Sequence, residues 1–180
     1  MKYRAKNRYD NFIKSKLKKG SLKREVIDIK DLSLNNYFNS YDNFIFISKH
    51  LCGEAFEISL NKIININNEA KLNENYVKNK FNIVMATCCH YLLNSENYCN
   101  YKLFEDFGFN KDEFNLMTRI SNWGTLKEEQ NNYLIGKKIK MLLDFGRCEY
   151  IKKNGFKNVK LIQYIDSSIT KENFLVLCKY

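Results

Sequence analysis

Two short motifs carry most of the reactive side chains of this chain, Lys49-His50-Leu51-Cys52-Gly53 and Thr87-Cys88-Cys89-His90. Lysine offers a fixed positive charge. An imidazole titrating near ~6.5 takes a proton at neutral pH from a hydroxyl that its surroundings have acidified. Lys49, His50 and His90 are therefore candidate catalytic residues; the alternative is that the two histidines are structural and satisfied by backbone carbonyls. Gly53 lets the backbone turn close to a ligand. Cys52, Cys88, Cys89 and His90 could converge on a metal, but the spacing matches no familiar zinc pattern and no CxxC pair occurs. Adjacent cysteines seldom hold one ion together, and a free cysteine is commonly a small buried apolar residue. No metal is expected here, zinc included.

Other side chains carry weaker signals. Asp28 and Asp31 follow a short β-branched run, where a carboxylate can accept from an adenine amino group or a ribose hydroxyl, or simply be solvated. Trp123 lies beside Arg119, Ser121 and Asn122 and either stacks on a base or belongs to the core. Gly146 within a strong helical pattern costs roughly 1 kcal/mol relative to alanine, which points to close helix–sheet packing and brings Arg147 within reach of a phosphate.

The elements that must position these residues alternate. Glu25 to Ile29 reads as a strand, followed by a short helix around Leu34 to Phe38. Phe44 to Ile47 is almost wholly apolar and reads as a strand buried on both faces. A helix follows from Glu54 to about Ile66, then an Asn-rich surface loop from Asn65 to Asn75. A third buried strand, Ile83 to Ala86, runs into Thr87 to His90, and a helix is expected through Tyr98, Leu103 and Phe107 to a stop at Gly108. A polar loop, Trp123 to Asn131, leads to the clearest helix, Ile135 to Lys153, stopped by Asn154-Gly155. Strands Val159 to Ile165 and Asn173 to Cys178 close the chain. This order predicts an α/β fold, an open and mostly parallel sheet with helices on both faces, in which ligands bind at the carboxyl ends of the strands. Both cysteine–histidine motifs fall at such ends.

At 180 residues, 44% hydrophobic and 14% aromatic, the chain is not a disordered one. The first 24 residues hold ten of the 30 basic side chains and one of the 20 acidic ones, so most of the net charge of +10 sits in a basic helical lead-in. Such a cluster suits a polyphosphate backbone, with Lys14 and Lys18 as candidate contacts, unless it is a solvated helix face. No apolar run approaches the ~18 residues of a membrane span and no signal-peptide pattern opens the chain, so a soluble intracellular protein of nucleus or cytoplasm is expected. Six cysteines without a paired framework fit reduced thiols.

Taken together, KHLCG at 49–53, ATCCH at 86–90, ISNW at 120–123, DFGR at 144–147 and KENFLVL at 171–177, with IDIKDL at 27–32, form an ordered set. That set resembles the eukaryotic tRNA 2′-O-methyltransferases that modify the fourth nucleotide of the acceptor stem. The resemblance implies S-adenosylmethionine-dependent methyl transfer to a ribose 2′-hydroxyl of tRNA, on a Rossmann-like sheet ending in an antiparallel hairpin. It implies Lys49, His50 and His90 as catalytic, Asp28, Asp31, Gly53, Cys88 and Cys89 on the cofactor side, and Lys14, Lys18, Arg119, Ser121, Trp123 and Arg147 as RNA contacts. The chain departs from the family pattern in two places. The cysteine pair of the family is followed by two histidines, an arginine and a cysteine, whereas Tyr91, Leu92 and Leu93 follow His90 here, and Gly124 replaces an alanine. The family's glycine-rich strand–loop, acidic strand end and N-terminal zinc modules do not occur in this sequence. Residues 25–180 are thus expected to form a methyltransferase domain incomplete at its N-terminal side, binding cofactor weakly and inactive alone. The alternatives are a non-catalytic RNA-binding fragment and a redox or metal protein built on the strand-end cysteines.

Overall fold

The structure, a computed structural model, describes residues 10–34, 37, 40–72, 80–127 and 131–179. Two units are present, Met1–Ser33 and Leu34–Tyr180. The helix expected around Leu34 to Phe38 falls largely outside the described residues, as do Lys2, Arg4, Lys6 and Arg8.

In the first unit, helix α1 (Asp10–Lys16) has no buried residue. Arg24 holds Asp10 through Nε and Nη2, at 2.9 and 2.5 Å. The strand expected over Glu25 to Ile29 does not form. Val26 and Ile27 are exposed, and the Asp28 side chain accepts from the Lys30 amide at 3.1 Å, turning the chain into a 3-10 helix over Ile29–Asp31. An aspartate that caps its own local turn competes with sheet pairing.

The second unit is built on four strands, β1 (Asn43–Ser48), β2 (Lys80–Ala86), β3 (Val159–Gln163) and β4 (Phe174–Cys178), in the order β1-β2-β4-β3. Strands β1 and β2 pair in parallel, and β4 is antiparallel to both β2 and β3, so β1, β2 and β3 share one direction. The closing hairpin is thus as expected, and β4 is the one strand of the four that runs against the others. Strands β1, β2 and β3 all end at one edge, where β4 begins.

One sheet face is covered by helices α2 (Glu54–Leu72) and α5 (Tyr133–Lys153). Phe56, Leu60, Ile63 and Ile64 of α2 and Cys148 and Ile151 of α5 close over Phe81, Ile83 and Met85 of β2 and Val176 and Cys178 of β4. Each such large apolar side chain contributes about 1.5–3 kcal/mol relative to exposure. On the opposite face Ile45, Ile47, Val84, Ile162, Leu175 and Leu177 are all exposed or half-buried, so the expected cover on both faces is absent among the described residues. Strand β1, expected to be buried on both faces, stands at the edge of the sheet among the described residues, and its Ile47 is 76% exposed.

Helix α2 extends six residues beyond Ile66, through part of the expected loop. Beyond α5 lies a second core, where Tyr98, Phe104, Phe114 and Leu143 join α5 to α3 (Tyr101–Asp106) and α4 (Lys111–Ile120). Rings of Phe104 and Phe114 meet edge-on at 5.0 Å. Helix α4, which periodicity did not mark out, starts at a capping box in which Asn110 and Glu113 exchange side-chain and backbone hydrogen bonds. A 3-10 turn, Ser121–Thr125, occupies the expected polar loop.

Candidate functional site

The edge at which β1, β2 and β3 end carries both reactive motifs. Lys49 and His50 leave the end of β1 exposed to solvent. The Lys49 ammonium lies 5.8 Å over the ring of Tyr164, the residue after β3, whose hydroxyl donates to the Glu172 carbonyl at 2.9 Å. Glu172 also accepts from the buried ammonium of Lys140 on α5 at 2.7 Å. Tyr164, Lys140 and Glu172 were not singled out in the sequence, because their meeting depends on the hairpin joining two strand ends.

The backbone is tightly bent here. His50 and Cys89 adopt left-handed conformations, at φ 62° and 50°, and Gly53 does so at 54°. A β-carbon on Gly53 would stand 2.8 Å from the Leu92 β-carbon, so glycine is required for the loop after β1 to touch the turn after β2. That approach brings Cys52 beside the cysteine pair. The Cys52 sulfur is 3.6 Å from that of Cys88 and 3.2 Å from that of Cys89. Burial pushes the Cys88 and Cys89 thiols up, and their contacts with Cys52 push them further. Thiols so placed stay protonated at neutral pH.

His90 points the other way. It is 2% exposed, and its Nε2 lies 2.8 Å from Oδ1 of Asp144 on α5. Its Nδ1 is buried with no hydrogen-bond partner among the described residues. Asp144 also accepts from the Thr87 hydroxyl at 2.8 Å and from Arg147 Nη1 at 2.8 Å. Arg147 reaches across to Glu57 of α2 through Nε at 2.8 Å and Nη2 at 2.5 Å, and its guanidinium covers the Phe56 ring at 4.2 Å. Glu57 in turn accepts from the Cys99 amide at 3.2 Å. Burial alone would raise the Asp144 carboxyl, but the charge and hydrogen bond of His90, then Arg147 and Thr87, outweigh it and hold it below the usual carboxylate range. Burial would likewise discharge Arg147, and the two carboxylates overcome it.

This network corrects two expectations. Arg147 is fully buried and faces no RNA; an arginine whose partners lie on α2 is not distinguishable from a surface one in sequence. His90 is enclosed and cannot touch a substrate as placed, so it positions the turn that carries Cys88 and Cys89. Gly146 serves packing, but against Tyr98 and Phe104 rather than the sheet. The remaining residues divide as follows. Ser121 is buried and donates to the Thr118 carbonyl at 2.5 Å, which removes it from an RNA surface. Arg119 is exposed and lines a polar cleft of about 630 Å³ with Lys111, Asn94 and Asn115. Trp123 is half-buried, its backbone pressed against α5 at Gly136. Asp28, Asp31, Lys14 and Lys18 belong to the first unit; the two lysines are exposed and the aspartates flank a turn rather than a strand end. No described helix is long and apolar enough to cross a membrane.

Comparison with known proteins adds a family. The model of the family described as Methyltransferase TRM13 matches residues 2–133 and 128–179. A "tRNA:m(4)X modification enzyme TRM13 homolog" of Dictyostelium discoideum is 35% identical over 136 residues, 73% of this chain and 25% of that protein. The tRNA:m(4)X modification enzyme TRM13 of Vanderwaltozyma polyspora is 29% identical, over 87% of this chain and 41% of its own length. Its Saccharomyces cerevisiae counterpart is 26% identical, over 87% and 42%. The chain therefore spans between a quarter and under half the length of these relatives. No solved structure matches.

Proposed function

Since the chain belongs to the TRM13 methyltransferase family, we propose that its strand-end edge forms the acceptor side of a tRNA methyltransferase site, acting on a ribose 2′-hydroxyl of the acceptor stem. The observation that carries this is the exposure of Lys49 and His50 together at the end of β1, on the edge shared by three strand ends. The order β1-β2-β4-β3, one parallel pair closed by an antiparallel hairpin, is what the second half of a Rossmann-like methyltransferase sheet would show.

The reaction needs the hydroxyl held in line and its proton removed. His50 is the proton acceptor in this reading, because its imidazole is exposed whereas that of His90 is enclosed. Lys49 supplies fixed charge toward the RNA backbone, exposed Arg119 is a further candidate phosphate contact, and Lys14 and Lys18 are candidate contacts on the first unit. In a preparation that methylates tRNA, His50→Ala is expected to lower the rate about a hundredfold with substrate KM little changed. Transfer that persists within a factor of two would eliminate His50 as the base.

S-adenosylmethionine supplies the methyl group in the family reading. The described residues do not make a cradle for it: Leu92 fills the space beside Gly53, and the Cys88 and Cys89 thiols are engaged with Cys52. Asp28 and Asp31 are not at a strand end. Calorimetry on this chain alone is expected to show weak or no binding of S-adenosylmethionine, while a tRNA acceptor stem still binds in a salt-dependent way. Tight cofactor binding would overturn the first expectation.

A further inference from the structure

We propose that Cys52, Cys88 and Cys89 form a three-thiolate site for a soft divalent metal ion, zinc by the chemistry of the donors, which clamps the loop after β1 to the turn after β2. The proposal does not depend on the methyltransferase reading. The three sulfurs all lie within 4.8 Å of one another, and two of the separations are 3.6 and 3.2 Å. Zinc–sulfur bonds of about 2.3 Å at tetrahedral angles place sulfurs about 3.8 Å apart, so the two shorter separations lie below that spacing and the third lies within 4.8 Å. A disulfide requires about 2.05 Å and would use only two of the three.

The backbone shows how adjacent cysteines can share one ion. Neighbouring side chains of an extended segment point to opposite sides. The left-handed conformation of Cys89 breaks that alternation and returns its sulfur to the side of Cys88 and Cys52. His50 is left-handed as well, and its carbonyl accepts from the Cys52 thiol at 3.7 Å. Two non-glycine residues in this conformation, His50 beside Cys52 and Cys89 itself, shape the sulfur cluster, and strain of this kind collects where a site is held for use. The other three cysteines, Cys99, Cys148 and Cys178, belong to no such group among the described residues.

Binding would displace protons, one metal dication and three thiols giving a tris-thiolate complex of net charge −1 and three protons in solution. Cys52 is solvent-exposed, so the fourth position opens toward the edge that carries Lys49 and His50, where water completes the tetrahedron. The thiols offer soft donors, which select zinc over magnesium or calcium.

The test uses reduced protein stripped with chelator and titrated with cobalt(II) as an optical probe, alongside elemental analysis of zinc in protein purified without chelator. Expected are about one ion per chain and an intense thiolate-to-cobalt absorption, with tetrahedral bands in the visible. Cys52→Ser, at an exposed position that should not disturb folding, is expected to weaken metal binding at least tenfold, and Cys52→Ser with Cys89→Ser to abolish the absorption. Cys99→Ala should leave it intact. The proposal fails if reduced protein gives no thiolate–cobalt absorption, if the double variant binds as the parent does, or if alkylation and mass measurement of protein kept under reducing conditions reveal a Cys52–Cys89 disulfide.

Discussion

Replacing Arg147 by methionine is expected to destabilise the protein by about 3–5 kcal/mol, the cost of leaving buried carboxylates without their cation. One guanidinium here serves Glu57 and Asp144, and all three side chains are at most 1% exposed. Methionine fills the volume and covers Phe56, so the loss reports charge rather than a cavity. Arg147→Lys should recover only part of it, because a single ammonium cannot reproduce the fork toward Glu57 while reaching Asp144. Urea denaturation measures this directly; a loss below about 1 kcal/mol would show that the network is not holding α2, α5 and the strand-end turn together. Acid offers a second view. Asp144 has its folded pKa depressed, so its contribution is complete above the ordinary carboxylate value near ~3.9 and is lost as pH falls through the lower folded value. Asp144→Asn should flatten that part of the stability profile.

Gly136→Ala is the second large effect, with an expected net loss of about 2–3 kcal/mol. The first turn of α5 crosses the 3-10 turn backbone to backbone. A β-carbon on Gly136 would overlap the Gly124 amide nitrogen and stand 2.8 Å from the Trp123 β-carbon. One on Gly124 would lie 2.8 Å from the Gly136 carbonyl carbon. Neither neighbour is a flexible side-chain tip, so the two segments must separate. The helix-propensity gain of alanine, about 1 kcal/mol, offsets part of the cost. A thermal midpoint unchanged or raised in Gly136→Ala would mean that the crossing is looser than described.

The contrast between these two sites shows what a linear reading can reach. Long periodic segments, α5 above all, and the closing hairpin were legible because their burial pattern is local. The apolar run of β1 was legible as a strand, but not as an edge strand, since nothing in Phe44 to Ile47 records how many neighbours it has. The capping box at Asn110 and Glu113 was a usable signal for α4 that periodicity overlooked. Arg147 was misplaced because Glu57 precedes it by ninety residues. The convergence of Cys52, Cys88 and Cys89 was legible but set aside because adjacent cysteines seldom hold one ion; the left-handed conformation of Cys89 that brings the sulfurs together has no signature in side-chain type, and His90 faces away from them. The exposed strand-end placement of Lys49 and His50 was legible, whereas the residues that hold their surroundings, Asp144, Glu57, Thr87 and Tyr164, become visible only once the strand ends meet.

The glycine crossing at Gly124 and Gly136 also has a spectroscopic consequence. Trp123 is the only tryptophan, and it sits at that crossing rather than against the sheet. Its fluorescence therefore reports the junction of α5 with the turn before it, while far-ultraviolet dichroism averages over the whole chain. Where the two signals diverge along a denaturation curve, the 3-10 turn is parting from α5 while the secondary structure as a whole persists, and the protein carries its own label for that step.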